Sequence, residues 1–319
     1  MNKKIQILRS LAIIAVVLIH TSPSGLWQVC FRPFVNFAVA MFIFLSGYLT
    51  KRENENWVRF IKKRCLRVLI PYFIWTIVYT LPSFSFQQLA FNLVTTKSAY
   101  TLYYIFVYMQ LVILTPLLCS AAKTTCKWVT LLISPAYMLI VNYLLPPPPP
   151  DNGVLLILDS VNCLGWISYY YLGLLLGNHI VRIKQNGKVL YITLVIALAL
   201  QIIEGYMFHI QGVDNPGTQI KITAFITSVI IMFLSVRFIE NDTDISHKPM
   251  MKVLAMIGDY SFGIYLCHVL IINLLRTLTF YNSIPFVVNS LIVFCISFIM
   301  CFLTRRVVGD KISRYLGII

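Results

Sequence analysis

The first hydrophobic segment, IQILRSLAIIAVVLIH, carries an arginine near its start and a histidine at its end. Arg9 and His20 are eleven residues apart, and an α-helix at about 100° per residue returns them to within about 20° of one face. They are separated by about 16 Å along the axis, with Ile13 and Val16 between them. An imidazole with its ordinary pKa of about 6.5 exchanges protons near neutral pH. The spacing therefore predicts a stripe with a fixed cation at one end and a proton-transfer group at the other.

Taken singly, both residues have ordinary explanations. An arginine extends its side chain towards lipid phosphates, and a histidine lies readily in the outer headgroup layer. Placed on one face of a membrane helix, however, ionisable residues usually line a protein interior or a cavity. The residues alone leave both interpretations open.

Two further ionisable residues lie inside apolar segments. His268 comes nine residues after Asp259 in GDYSFGIYLCHVLI, which predicts a depth similar to that of His20. One histidine would act as a base while the other binds substrate or supports the site; the alternative is that His268 only hydrogen-bonds between helices. Glu204 either orients a histidine or is an isolated protonated carboxyl group.

The composition indicates a polytopic membrane protein. The 319 residues are 59% hydrophobic and 12% charged, and the mean hydropathy is +0.80. A soluble chain cannot bury that much apolar surface. The net charge of +15 is then explained by Lys and Arg that hold loops on the cytoplasmic side, and no nucleic-acid partner is expected.

The predicted fold is all-α, a single integral-membrane domain over residues 1–319 with about ten transmembrane helices and both termini in the cytoplasm. All but four of the 26 basic residues then lie on the cytoplasmic side, the exceptions being Arg32, Lys97, Lys221 and Arg276. The ten segments of spanning length are residues 5–22, 34–50, 70–86, 102–120, 127–145, 164–180, 188–208, 219–238, 258–278 and 284–304.

Two connections have a distinctive composition. Residues 51–69 form a basic connection that is predicted as an amphipathic helix on the inner surface; attraction to anionic lipids and a cradle for a phosphorylated ligand explain it equally well. Residues 146–163 form an extracytoplasmic loop that begins with five prolines, a stiff spacer. The eight cysteines show no metal-binding spacing, so no metal is expected, and a disulfide between Cys30 and Cys163 is left open.

Five sequence blocks resemble the acyltransferase 3 family of integral-membrane acyltransferases, and they follow the family order over the whole chain. The first is RSLAIIAVVLIH, which fits the family's Arg-x10-His signature. The others are FIFLSGYLT (42–50), the basic run ending KKRCLRVLIPYFIW, GWISYYYLGLLLG (165–177) and GDYSFGIYLCH. The stretch YYIFVYMQLVILTP (103–116) departs from the family pattern, and many members have Phe in place of Tyr48.

The resemblance implies transfer of an acyl group, usually acetyl, from cytoplasmic acyl-CoA to a hydroxyl of a cell-surface glycan or glycolipid. His20 would be the general base, by direct transfer or through an acyl-histidine. It also implies that acyl-CoA is a substrate rather than a bound cofactor, and that the protein lies in a bacterial cytoplasmic membrane among lipids. The residues expected to bind the CoA phosphates are Arg9, Arg64 and Arg67. Those expected to contact substrate or support the site are Ser46, Tyr48, Tyr72, Glu204 and His268. The competing functions are a transporter or exporter of a glycan or small molecule and a scaffold without chemistry.

Overall fold

The computed structural model describes residues 2–53, 56–145, 161–241 and 247–319. All regular structure in these residues is helical, as the composition predicts, and they contain no strand. The proline run and most of the predicted 146–163 loop lie outside the described residues.

The α-helices follow one another with short connections, and three further turns have 3₁₀ or π geometry. The 3₁₀ turns are Arg32–Phe34 and Leu81–Ser83, and the π turn is Ile140–Leu144. The last helix has a break at Gly309, where φ is 75°. The α-helices are α1 (Lys3–Thr21), α2 (Leu26–Phe31), α3 (Phe37–Tyr48), α4 (Trp57–Thr80), α5 (Phe86–Thr95), α6 (Tyr103–Ala121), α7 (Lys127–Leu131), α8 (Ile133–Leu139), α9 (Ile167–Gly177), α10 (Gly187–Ile210), α11 (Ile222–Glu240), α12 (Pro249–Asp259), α13 (Ser261–Arg276), α14 (Thr279–Ser283) and α15 (Phe286–Tyr315).

Within the described ranges, seven helical runs are long and apolar enough to cross a membrane, or eight if the bent pair α12 and α13 counts as one span. One of the seven is the run Leu26–Tyr48, which joins α2, the first 3₁₀ turn and α3. Two of the ten predicted segments contain only shorter apolar helices, Ile133–Leu144 and Ile167–Gly177. At 1.5 Å per residue these are about 17 to 18 Å long, against a hydrocarbon core of about 30 Å. The count of ten and the orientation of the termini therefore stay predictions.

The helices form two compact units. The first comprises Met1–Glu53, Pro116–Pro147 and Leu164–Gly258. Its centre is α3, which packs against α1, α9 and α11. Helix α9 is buried around its whole circumference, with Tyr170 and Leu174 at 0% exposure. This burial explains why its sequence is apolar on all sides rather than amphipathic.

Glycines allow α3 and α9 to approach at backbone contact. A Cβ atom built on Gly173 or Gly177 of α9 would collide with the carbonyl oxygens of Phe44 and Tyr48, respectively. In the reverse direction, a Cβ on Gly47 would collide with the carbonyl oxygen of Tyr170. Small residues at helix crossings are a general means of packing helices in membranes, and here they fix the centre of the first unit.

Gly173→Ala is therefore expected to destabilise the protein by about 1–3 kcal/mol, because the added methyl group overpacks a contact that consists of backbone atoms. The midpoint of thermal unfolding in detergent measures the effect. Gly187→Ala is the matched control, since its Cβ would lie at an ordinary 3.7 Å from Arg237 Nε. Equal midpoints for the two variants would contradict the close contact between α3 and α9.

The second unit comprises Asn54–Thr115, Pro148–Cys163 and Asp259–Ile319. Tyrosine and tryptophan side chains link its helices: Tyr79 donates a hydrogen bond to the carbonyl oxygen of Leu266 (2.9 Å), and Trp75 donates to that of Leu316 (3.0 Å). Helix α4 runs without interruption through Pro71. The basic connection is therefore not a separate surface helix, because its described residues from Trp57 onward continue directly into the third apolar segment.

Candidate functional site

The first unit carries both ends of the predicted stripe on α1. Arg9 and His20 are half-buried, whereas Ile13 and Val16 between them are 0% and 2% exposed. Helix α1 is uninterrupted, so the rise of about 16 Å between the two side chains is retained. The stripe is thus an apolar, buried strip of helix with an ionisable group at each end, while the chemical roles of those groups stay predictions.

The Arg9 end of the stripe lies where α12 contacts α1. Arg9 Nη1 donates to the side-chain oxygen of Gln6 (3.2 Å), and Gln6 is 3% exposed. A Cβ on Gly258 would collide with the carbonyl oxygen of Gln6. Lys4 of the same helix donates to the carbonyl oxygen of Asn241. The Arg9 guanidinium therefore lies at an end of α1 that is tightly packed and rich in basic residues.

The His20 end is held by two side-chain donors that meet at one carbonyl group. The Ser22 hydroxyl donates to the carbonyl oxygen of Ile19 (2.9 Å), and Arg32 Nη2 donates to the same oxygen (3.3 Å). The backbone N–H of Ser22 closes the helix by donating to Leu18 (3.0 Å). These contacts fix the backbone immediately before His20. They therefore also fix the point from which its imidazole projects.

Glu204 on α10 accepts hydrogen bonds at both carboxylate oxygens. The Tyr143 hydroxyl donates to Oε1, and the Thr223 hydroxyl donates to Oε2. The backbone N–H of Thr223 also donates to Oε2 (3.2 Å). Because Thr223 lies in the first turn of α11, the carboxylate caps that helix at its positive end. Glu204 thus joins three helical elements, and a role in orienting a histidine stays a prediction.

Lys221 is a buried cation that sequence reasoning did not select. It is 1% exposed, and its Nζ donates to the carbonyl oxygens of Gln201 and Pro216, both at 3.2 Å. The only signal in the sequence is that Lys221, like Arg32, is one of the four basic residues that are not predicted to lie on the cytoplasmic side.

The loop between α10 and α11 rests on the His20 end of the unit. The Asn36 side chain donates to the carbonyl oxygen of Gly217 (3.1 Å), and the Asn142 side chain donates to that of Ile220 (2.8 Å). A Cβ on Gly217 would lie 3.1 Å from Cδ of Arg32. The loop therefore packs closely on the Arg32 side chain.

Ser46 and Tyr48 flank Gly47 and are both half-buried. The Thr50 hydroxyl donates to the carbonyl oxygen of Ser46 (2.8 Å). Helix α3 packs against α1 as well as α9, and Gly47 itself meets the carbonyl oxygen of Tyr170 in α9. Contact of either hydroxyl with a substrate stays a prediction.

In the second unit, Arg64 and Arg67 lie on the basic N-terminal half of α4. The Arg64 guanidinium lies over the Phe60 ring, 4.7 Å from its centre, and Arg67 is exposed. Phosphate binding by these two side chains stays a prediction.

Tyr72 and His268 are buried within the second unit. Tyr72 donates to the carbonyl oxygens of Asn92 (3.2 Å) and Leu93 (3.0 Å) and so links α4 to α5. His268 Nδ1 lies 2.7 Å from the carbonyl oxygen of Tyr265. Because a carbonyl only accepts, Nδ1 carries the proton. Tyr72 therefore links two helices, whereas this contact of His268 lies within α13, and a catalytic or substrate contact for either stays a prediction.

The first unit also contains a cavity of about 380 Å³ at the Arg9 end. The polar part of its lining combines Arg182 with His179 and Glu240, and the last two approach to 3.9 Å. This mixture of charges does not resemble a phosphate site. Within the described ranges, no group of three or more His, Cys, Asp or Glu side chains is placed to hold a metal ion, and Cys30 and Cys163 are free thiols.

Comparison with known proteins gives one match. A family model described as an acyltransferase domain, Acyl_transf_3, matches residues 2–306. The match extends from α1 into α15 and includes residues of both units. No curated protein and no solved structure matches the chain.

Proposed function

Since the chain belongs to the acyltransferase 3 family, we propose that it moves an acetyl group from cytoplasmic acyl-CoA to a hydroxyl of a cell-surface glycan or glycolipid. The family supports acyltransferase activity in a membrane. The finer assignment of donor and acceptor depends on one observation, the buried apolar stripe that joins Arg9 to His20 on α1. Its length of about 16 Å suits an extended pantetheine arm.

In this proposal, Arg9 binds CoA phosphates at the cytoplasmic end of the stripe, because a guanidinium fork matches phosphate oxygens. The pantetheine arm lies along Ile13 and Val16; because these side chains are 0% and 2% exposed, the helices that cover them must separate to admit the arm. Arg64 and Arg67 are further phosphate-binding candidates, and for these two the support is the family pattern alone.

The reaction proposed at His20 is general base catalysis. The imidazole takes the proton of the acceptor hydroxyl as its oxygen attacks the thioester carbon, and then returns that proton to the departing CoA thiolate. Ser46, Tyr48, Tyr72, Glu204 and His268 remain supporting candidates.

The proposal requires the Arg9 end to face the cytoplasm and the His20 end to face outward, as in a bacterial cytoplasmic membrane. The support is electrostatic: basic residues concentrate on the segments predicted as cytoplasmic. The orientation predicts that Cys30, which is exposed in α2, reacts with a membrane-impermeant maleimide in intact cells. Cys126, exposed just before α7, should react only after permeabilisation.

Single-cysteine variants that keep either Cys30 or Cys126 make this labelling unambiguous, and a variant without cysteine provides the background. Labelling of Cys126 alone in intact cells would mean the opposite orientation and would remove the proposed path from cytoplasmic donor to outer acceptor.

The proposed activity is tested by supplying isotopically labelled acetyl-CoA to the cytoplasmic side of membrane vesicles. Label should accumulate in a glycan or glycolipid on the opposite side. The alternative is a transporter, which polar residues in membrane helices also fit. Movement of unmodified glycan without label transfer would favour that alternative.

A further inference from the structure

A guanidinium group lies beside the peptide that precedes His20. Arg32 Nη2 is 3.3 Å from the carbonyl oxygen of Ile19. That oxygen and the His20 Cα belong to the same peptide unit, in which they are about 3 Å apart. The Arg32 cation is therefore within about 6 Å of the His20 backbone, at the end of the stripe where the thioester is proposed to react.

The placement of this cation is rigid. Arg32 begins a 3₁₀ turn whose next residue is Pro33, so the backbone φ there is restricted. Its side chain is covered by Gly217, where an added Cβ would lie 3.1 Å from Arg32 Cδ, and Asn36 holds that part of the loop through a hydrogen bond of 3.1 Å. A packed and preorganised charge needs little rearrangement when negative charge develops nearby.

The buried charges Glu204 and Lys221 have partners in the neighbouring helices and in the loop. Glu204 accepts from Tyr143 and from Thr223 of α11, and Lys221 donates to the carbonyl oxygens of Gln201 in α10 and Pro216 in the loop. Arg32 instead reaches the last turn of α1, where half-buried His20 projects. A charge in a membrane protein carries a high desolvation cost, which favours a function for a cation held at this position.

We infer that Arg32 is a second catalytic residue, which stabilises the oxyanion formed when the acceptor attacks the thioester. The inference rests on the proposed function. As the hydroxyl oxygen bonds to the thioester carbon, its proton passes to His20 and the carbonyl electron pair moves to oxygen, where the Arg32 N–H groups donate to it. The carbonyl then re-forms, the carbon–sulfur bond breaks, and the CoA thiolate takes the proton from His20. The products are an ester and the CoA thiol, and Arg32 stays protonated throughout.

This role predicts a specific kinetic signature. Negative charge on the carbonyl oxygen develops only in the transition state, so loss of the cation lowers kcat and leaves the KM of donor and acceptor nearly unchanged. A residue that only bound the acceptor would show the opposite pattern. Removal of one oxyanion donor typically costs about 10²–10³ in kcat.

The experiment compares Arg32→Ala, Arg32→Lys and Arg276→Ala in purified protein with labelled acetyl-CoA and the acceptor identified in the vesicle assay. We expect kcat to fall by about 10²–10³ in Arg32→Ala and less in Arg32→Lys, which keeps the charge but loses the fork. Added guanidinium chloride should restore part of the kcat of Arg32→Ala and have no such effect on His20→Ala. Arg276 is exposed in the second unit, and its variant should match the parent.

Several results would overturn the inference. These are a kcat of Arg32→Ala within threefold of the parent, a rise in acceptor KM at constant kcat, or a loss of kcat without guanidinium rescue. If Arg32→Ala does not fold, Arg32→Lys decides, because a kcat equal to the parent would exclude a dependence on the guanidinium group. Failure of the proposed function is distinguishable, since the parent protein would then transfer no label at all.

Discussion

His20→Gln is expected to lower the kcat of acyl transfer by about 10²–10⁴, the usual contribution of a general base. Glutamine keeps a polar side chain of similar reach but cannot take a proton from the acceptor hydroxyl near neutral pH. His20 projects from a helix end that is held by Ser22 and Arg32, so the substitution should alter the chemistry without moving the backbone.

The measurement is label transfer at saturating acetyl-CoA, normalised to the amount of folded protein in the membrane. His209→Gln is the matched control, because it makes the same substitution in the last turn of another helix of the first unit. Transfer by His20→Gln at the parent rate, with transfer also unchanged in His209→Gln, would remove His20 from the reaction.

The second large effect is expected at the other end of the stripe. Arg9→Ala should raise the KM for acetyl-CoA by about 10- to 100-fold, since a hydrogen bond to a charged group contributes about 1.5–3 kcal/mol. The KM of Arg9→Lys should lie between those of Arg9→Ala and the parent, because an ammonium group retains the charge without the planar fork. The kcat at saturating donor should change little.

The donor itself provides the decisive comparison. Acetyl-pantetheine lacks the phosphates, so the parent and Arg9→Ala should use it equally well if Arg9 binds those phosphates. Lys3→Ala removes the same charge from an exposed position on the same helix and controls for surface potential. If Arg9→Ala raises the KM for both donors equally, Arg9 does not bind the phosphates and has only a structural role.

Much of the helical architecture could be predicted, because hydrophobic segments of spanning length are a local property of the chain. Seven of the ten predicted segments correspond to long apolar helices, and an eighth corresponds to the bent pair α12 and α13. The segments around α8 and α9 contain only shorter apolar helices, and whether they cross the membrane stays a prediction, since hydropathy measures how apolar a residue is but not whether protein or lipid surrounds it. Helix α9 is apolar because it is buried in the first unit.

The connection before the third segment shows a related limit. The change from a basic to an apolar composition near Pro71 suggested two elements, but α4 continues through it. A proline removes one backbone hydrogen bond without necessarily ending a helix. Composition alone therefore does not locate the helix boundary, because α4 continues through the change from basic to apolar residues.

The sequence by itself determined the membrane class, the helical fold and the stripe from Arg9 to His20, because residue type and the period of 3.6 residues per turn are local properties. Only the tertiary structure decided which side chains surround the ends of that stripe. Glu204 lies nineteen residues before Thr223, and Arg32 lies thirteen residues after Ile19. The members of each pair lie in different helices or turns, so the helical repeat does not predict that they meet. Their contact depends on how the helices and loops of the first unit pack.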